Sequence, residues 1–472
     1  MNHPVLDADG HWREFPPLLV DALRRIGGPI AANGFEAAVG GMNSRKAATP
    51  GPHRRPRSAW WLNAGNTLDR ATAVLPGLMH QRLDELGIDF MVVYPSYGLL
   101  LLGIEDDAAR RAACRAYNVF QAEQFDGLSR RMAPVAVVPM HTPEEAPEEL
   151  DHVRALGLKV VTLGSMMRRV NPTALTDTST ARHAIWHDTL ALDSNHDCDP
   201  VWARCEALRL PVTFHTPGTG SGFRVSPTNF IYNHIGHFAS TGEAVCKAMF
   251  LGGVTYWFPN LRFCFMEGGV GWACTLYRDL VGHWRVRNLE GVRRTSPGNL
   301  ETDLFISLVE KHGGVAWRRY LPELQAHAEE IGMQLTIGST EPPPEPNDFA
   351  ACRIERAEDI RDAFVPNFYF GCEAEDAVSV AFDTRNNPCG GRINALFSSD
   401  VSHFDVPDTR GVLPETYEGV EEDILSTADF RDFVFANGVI FLGHLNREFF
   451  DGTAIAAEAR QVLAAEGNGQ TI

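Results

Sequence analysis

The chain has 472 residues, 44% of them hydrophobic, enough to build a large apolar core. A formal net charge of −18 argues against broad nucleic-acid binding, and no run approaches the roughly 18 apolar residues of a membrane-spanning helix. Met1–Asp9 lacks the basic and long apolar segments of a secretory leader, and nine cysteines without a C-x-x-C pair predict reduced thiols in a cytoplasmic protein.

The first apolar run, Val5–Asp9, leads into Asp9-Gly10-His11. Alternate residues of a strand face one side, so Asp9 and His11 are predicted to point together. Asp7 shares their parity and reads as a structural acceptor, and Glu14 follows within reach of the same region. Residues 26–75 then form a long irregular segment rich in Gly, Asn, Pro and Arg. It contains Gly51-Pro52-His53-Arg54-Arg55-Pro56-Arg57, where Arg54, Arg55 and Arg57 can clamp an anionic group such as the phosphates of a CoA carrier.

A second run, Phe90–Tyr94, ends near Ser96 and is followed by helical spacing over Glu105–Glu123. The third, Pro134–Pro139, ends at His141 and precedes a helix over Pro143–Leu156. The fourth, Leu158–Leu163, ends at Ser165, and a polar insertion at 166–198 follows it. After a helix over Asp199–Leu208 comes the fifth run, Pro211–Phe214, closed by His215. His234 and His237 stand close behind, ahead of a helix over Gly242–Leu251.

The sixth run, Leu261–Met266, ends in Glu267-Gly268-Gly269. A third insertion, 283–366, holds a helix over Leu321–Ile331 and a proline-rich break at 341–346. The seventh run, Asn367–Phe370, precedes Glu373 and Asp376, and the eighth, Asn394–Ser399, precedes Asp400 and His403. Residues 429–472 read as a helical tail packed on the exterior.

Strand and helix alternating about eight times predict an α/β fold, a (β/α)8 barrel, with the whole chain 1–472 as one domain and the three insertions as lids at its mouth. An open doubly wound sheet would show a Gly-rich phosphate loop after the first strand, where Asp-Gly-His stands instead. In a barrel every strand C-terminus faces one mouth. The candidate metal ligands are therefore Asp9, His11, Glu14, His215, His234, His237, Glu267 and Asp400, and the candidate proton-moving groups are Glu267, His403 and His141. Carboxylates with imidazoles suit iron or manganese, and the set exceeds the needs of one ion.

This order of residues resembles the amidohydrolase superfamily in its amidohydrolase-related branch. That family carries H-x-H on strand 1, His after strands 5 and 6, and Asp after strand 8. Asp9 and His11, His215 and Asp400 match those positions, and Gly252–Leu261 is a familiar lead-in to strand 6. The departures are D-x-H for H-x-H, Glu267 for the strand-6 His, and no Lys after strand 4. With Glu267–Trp272 and His234/His237, the pattern is similar to members that use two irons to activate dioxygen. That resemblance implies a non-haem di-iron monooxygenase acting on a bulky apolar acid, free or CoA-linked, with dioxygen and an external electron donor. The alternative it carries is a hydrolase or non-oxidative decarboxylase with one zinc or manganese. Homodimerisation through exterior helices is a further expectation, and a barrel that binds without turnover is a third reading.

Overall fold

The computed structural model describes residues 2–47, 66–171, 184–216, 226, 228–295, 299, 301–326, 347–401, 403 and 406–467. Its main sheet comprises β1 (Leu6–Trp12), β2 (Phe90–Pro95), β3 (Met132–Val138), β4 (Val160–Leu163), β7 (Val212–Phe214), β8 (Phe263–Phe265), β9 (Phe368–Cys372) and β10 (Asn394–Phe397). These eight strands pair in that order, every pair parallel, with helices between them. Most are unbroken apolar runs because both faces are buried, one in the barrel interior and one under the helices. The seam between β10 and β1 closes through the Ser399 backbone N–H and hydroxyl, which donate to the Asp7 carboxylate at 3.0 and 2.5 Å, and through Asp400 N–H to the Asp9 carbonyl at 3.0 Å. Asp7 is thus a structural acceptor, as its place in β1 suggested.

β1 is the exception to the apolar rule, with Asp7, Asp9 and His11 all buried. Its pairing with β2 shifts register between Asp7 and Gly10. Such bulges re-aim side chains beside active sites.

Two expectations need correction. Residues 26–75 are not irregular at either end: a helix covers Pro16–Ala47, broken at Gly28-Pro29, and a second covers Thr67–Val74. Glycine and proline concealed the first helix, yet Gly27 is there for contact. A Cβ at Gly27 would lie 2.8 Å from the Ala112 carbonyl oxygen and 2.9 Å from the Ala116 methyl, on the helix Asp107–Gln124 packed against it. The polar insertion 166–198 contains an antiparallel hairpin, β5 (Met167–Val170) with β6 (Ile185–Asp188). Arg169 fastens it, with Nε and Nη2 3.1 and 3.0 Å from Asp188 Oδ2 and Nη1 donating to the His141 carbonyl. The insertion 283–366 is helical over Leu289–Arg294, Thr302–His312, Gly314–Arg318, Leu321–Ala326 and Ala357–Phe364. The tail carries helices at Asn437–Gly443 and Ala456–Gly467, held to the barrel by Lys159 Nζ to the Phe449 carbonyl at 2.7 Å. No helix among the described residues is long and apolar enough to cross a membrane.

The outer layer makes a testable demand on stability. Glu149 on the helix Glu145–Ala155 is buried, and burial pushes its carboxyl up to about 7 despite a hydrogen bond from Asn118. A carboxyl with a raised folded pKa binds more protons folded than unfolded, so stability is lost as pH rises from 4.5 through about 7. Glu149→Gln keeps an acceptor for Asn118 and removes the charge. Urea unfolding is expected to show the variant more stable than the parent at pH 8, by up to about 3 kcal/mol. The gap should close near pH 4.5; a constant gap across this window would contradict the assignment.

Candidate metal centre

The ends of β1, β7, β8 and β10 bring Asp9, His11, His215, Glu267 and Asp400 together at the mouth, with His403 from the connection after β10. The Nε2 atoms of His11 and His215 are 3.1 Å apart. Asp9 faces both: Oδ1 is 3.4 Å from His11 Nε2 and Oδ2 is 3.3 Å from His215 Nε2. Asp400 Oδ1 lies 3.6 Å from His11 Nε2, and Glu267 Oε2 lies 3.5 Å from His215 Nε2. His403 Nδ1 is bonded to Asp400 and stands 3.3 Å from Glu267 Oε1. Tyr94 backs the His215 ring with centroids 4.9 Å apart, and Phe238 meets it edge-on at 5.3 Å.

Three groups of ligand atoms each converge within 4.8 Å: Asp9 with His11 and His215, His11 with Asp400 and His403, and Glu267 with Glu373 and Asp400. Their donors fit a metal ion. Both carboxylate oxygens of Asp9, and Glu267 Oε2, are buried and accept no hydrogen bond from the described residues. A buried carboxylate without compensation costs several kcal/mol, on the order of a lost hydrogen bond or more, and a cation among these atoms removes that cost.

Burial, with His403 and His215 as cationic neighbours, holds the His11 imidazole well below its usual range, so it stays neutral as a metal-ligating imidazole must. Burial raises Asp9 while His215 draws it down. For His215 burial acts downward, but the Asp9 and Glu267 carboxylates outweigh it and the net shift is upward. Burial opposes ionisation of Glu267, yet His403, His215 and His237 together hold it below the usual carboxylate range.

Backbone conformation marks the same place. Glu267 has φ 56° and Asp400 φ 44°, both left-handed. That conformation costs a non-glycine residue about 1–2 kcal/mol and concentrates where side-chain aim is constrained. Gly269 follows at φ 65°, where a Cβ would lie 2.6 Å from Asp376 Oδ1. Asp376 Oδ2 accepts the Glu373 N–H at 2.9 Å and so fixes the turn that presents Glu373.

The remaining candidates are placed differently. The Glu14 carboxylate accepts from the N–H groups of Ser96, Tyr97 and Gly98 and from the Tyr117 hydroxyl at 2.6 Å, outside the three converging groups. It anchors the turn after β2, because its oxygens are already occupied by donors. His237 Nδ1 donates to the His234 carbonyl, and the His234 ring stacks on Phe230. Neither contributes to the three groups. His141, at the end of β3, is held down at about 4 by burial and by Arg110 and Arg169, and is neutral at physiological pH. Arg54, Arg55 and Arg57 lie outside the described residues. Glu373, which is not among the candidate ligands read from the sequence, joins a ligand group; its signal is its position just after the seventh strand run.

A family model described as Amidohydrolase matches residues 69–330. The fold is similar to that of an amidohydrolase from Mycobacterium avium subsp. paratuberculosis K-10, at 17% identity and a TM-score of 0.52, covering 94% of this chain and 100% of that chain. A dihydroxybenzoic acid decarboxylase from Polaromonas sp. JS666, solved with manganese and 2-nitroresorcinol, gives 16% identity and a TM-score of 0.48 over 95% of this chain and 99% of that one. A 2,6-dihydroxybenzoate decarboxylase from Rhizobium gives 15% and 0.47 over 93% and 98%.

Proposed function

We propose, from the premise that this chain belongs to the amidohydrolase family, that it is a metal-dependent hydrolase or non-oxidative decarboxylase of a carboxylic acid or its derivative. The observation that carries this reading is the convergence of Asp9, His11, His215 and Asp400 beside a proton-moving pair, His403 with Glu267. A divalent ion held by that donor set supplies Lewis-acid polarisation of a carbonyl or carboxylate. Asp9 and His215 fix one side of the cage and Asp400 the other. His403 exchanges a proton between Nδ1 and the Asp400 and Glu267 carboxylates and so can relay it to or from the reacting group. Burial of all these side chains keeps bulk water from the reacting atoms and strengthens each charge interaction.

Sequence resemblance put dioxygen activation first, and the order is now reversed. The match to the amidohydrolase family model favours the hydrolase or decarboxylase reading. The oxygenase reading keeps one supporting observation. Asp400 and His11 are each shared between ligand groups, so two neighbouring cations, iron among them, can be held with Glu267 and Glu373 on the second. In that case the substrate is an apolar acid, free or CoA-linked.

Elemental analysis of freshly purified protein, with a panel of carboxylic acids and their esters and amides assayed in an oxygen electrode, tests the two. Turnover without oxygen uptake is expected. Substrate-dependent oxygen uptake with about two irons per chain would establish the oxygenase instead.

A further inference from the structure

We propose that Asp69 and Thr409 are positioning residues that hold His403 in register with the ligands on β1; the inference rests on the functional reading above. Asp69, on the helix Thr67–Val74, is buried although it carries a charge. Its Oδ1 accepts from Arg82 Nη1 at 2.7 Å and from the Thr409 hydroxyl at 3.0 Å. Its Oδ2 accepts from Asn66 Nδ2 at 2.8 Å and from the Thr409 N–H at 3.2 Å. Arg82 is itself held by the Thr72 hydroxyl at 2.6 Å and by Glu85 at 2.9 Å. Thr409, also buried, therefore gives both its donors to one carboxylate.

What this clamp joins is the two sides of the barrel seam. On one side the helix Thr67–Val74 grips the end of β1: Arg13 N–H donates to the Ala73 carbonyl at 2.7 Å and Trp12 Nε1 to the Val74 carbonyl at 3.0 Å. On the other, the connection after β10 begins at Asp400 and includes His403 and Thr409. His403 N–H donates to the Asp400 carbonyl at 3.2 Å, and Val406 N–H donates to the His403 carbonyl at 3.3 Å. His403 thus sits between two fixed points, the end of β10 and the Asp69 clamp. The His11 and His403 rings, one from each side of the seam, have centroids 4.3 Å apart. A buried ion pair is a poor source of net stability compared with apolar packing, while its geometry is directional, so its use here is register.

The test is Thr409→Val, which replaces the hydroxyl by a methyl of the same shape, with Thr409→Ser as the conservative rescue. Hydrogen exchange of the Asp400–Gly411 peptide in the metal-loaded protein needs no substrate. Thr409→Val is expected to speed that exchange by about tenfold, the equivalent of one lost hydrogen bond, and Thr409→Ser to restore it. With a turned-over substrate in hand, kcat is expected to fall by about tenfold with KM and metal content unchanged, and again to return with Thr409→Ser. Asp69→Asn gives the same exchange readout should Thr409→Val fail to fold. Unchanged exchange overturns the clamp; faster exchange with unchanged kcat overturns its role in positioning His403. Because the exchange arm is independent of substrate, failure of the functional reading leaves it readable.

Discussion

His215→Ala is expected to strip the bound metal and abolish turnover together. His215 Nε2 is the point where three contacts meet: His11 Nε2 at 3.1 Å, Asp9 Oδ2 at 3.3 Å and Glu267 Oε2 at 3.5 Å. Alanine removes a donor nitrogen and leaves the Asp9 carboxylate buried with one fewer polar partner. The loss of affinity should exceed the roughly 10–100-fold that removal of a mere orienting partner costs. Metal content after dialysis, measured by elemental analysis, and activity under metal-saturated buffer check this. Chelation of the parent protein should also lower its melting temperature, because Asp9 and Glu267 then lose the cation that offsets their burial. A His215→Ala protein that retains metal and activity would remove this residue from the ligand set.

The second large effect is expected at His403. It is fully buried, bonded to Asp400 through Nδ1 and 3.3 Å from Glu267 Oε1, which places it between two carboxylates of the site. His403→Asn retains a polar group and removes the titrating ring. It should lower kcat by roughly 10²–10⁴-fold, the usual contribution of a general acid–base group. Metal held by Asp9, His11 and His215 should stay bound, since His403 is not in that group. A loss of half the metal with a parallel loss of activity would instead place His403 on a second ion and favour the oxygenase reading.

The barrel was legible because most of its strands are apolar on both faces. The eight apolar runs coincide with the eight parallel strands of the main sheet. The polar residue closing each run was the second signal, and it placed Asp9, His11, His215, Glu267 and Asp400 at one mouth. Spacing could not tell which polar groups are already occupied. Glu14 follows β1 as closely as a ligand would, yet its oxygens meet three N–H groups and a tyrosine hydroxyl that only the folded turn after β2 provides. The helix Pro16–Ala47 was hidden because it carries helix-poor glycines and a proline, of which Gly27 answers to contact with Ala112 and Ala116 rather than to propensity. The hairpin of β5 and β6 was hidden because Met167–Val170 and Ile185–Asp188 are short and charged and lie far apart in a polar segment. The Asp69 clamp joins residues separated by 340 positions, which no local pattern announces.

Anomalous X-ray diffraction from crystals of the protein as purified, collected on both sides of the absorption edges of manganese, iron and zinc, tests the central claim most directly. The expected result is an anomalous peak among the side chains of Asp9, His11, His215 and Asp400. A fully active protein whose crystals show no peak there, or show the metal bound elsewhere, would contradict it.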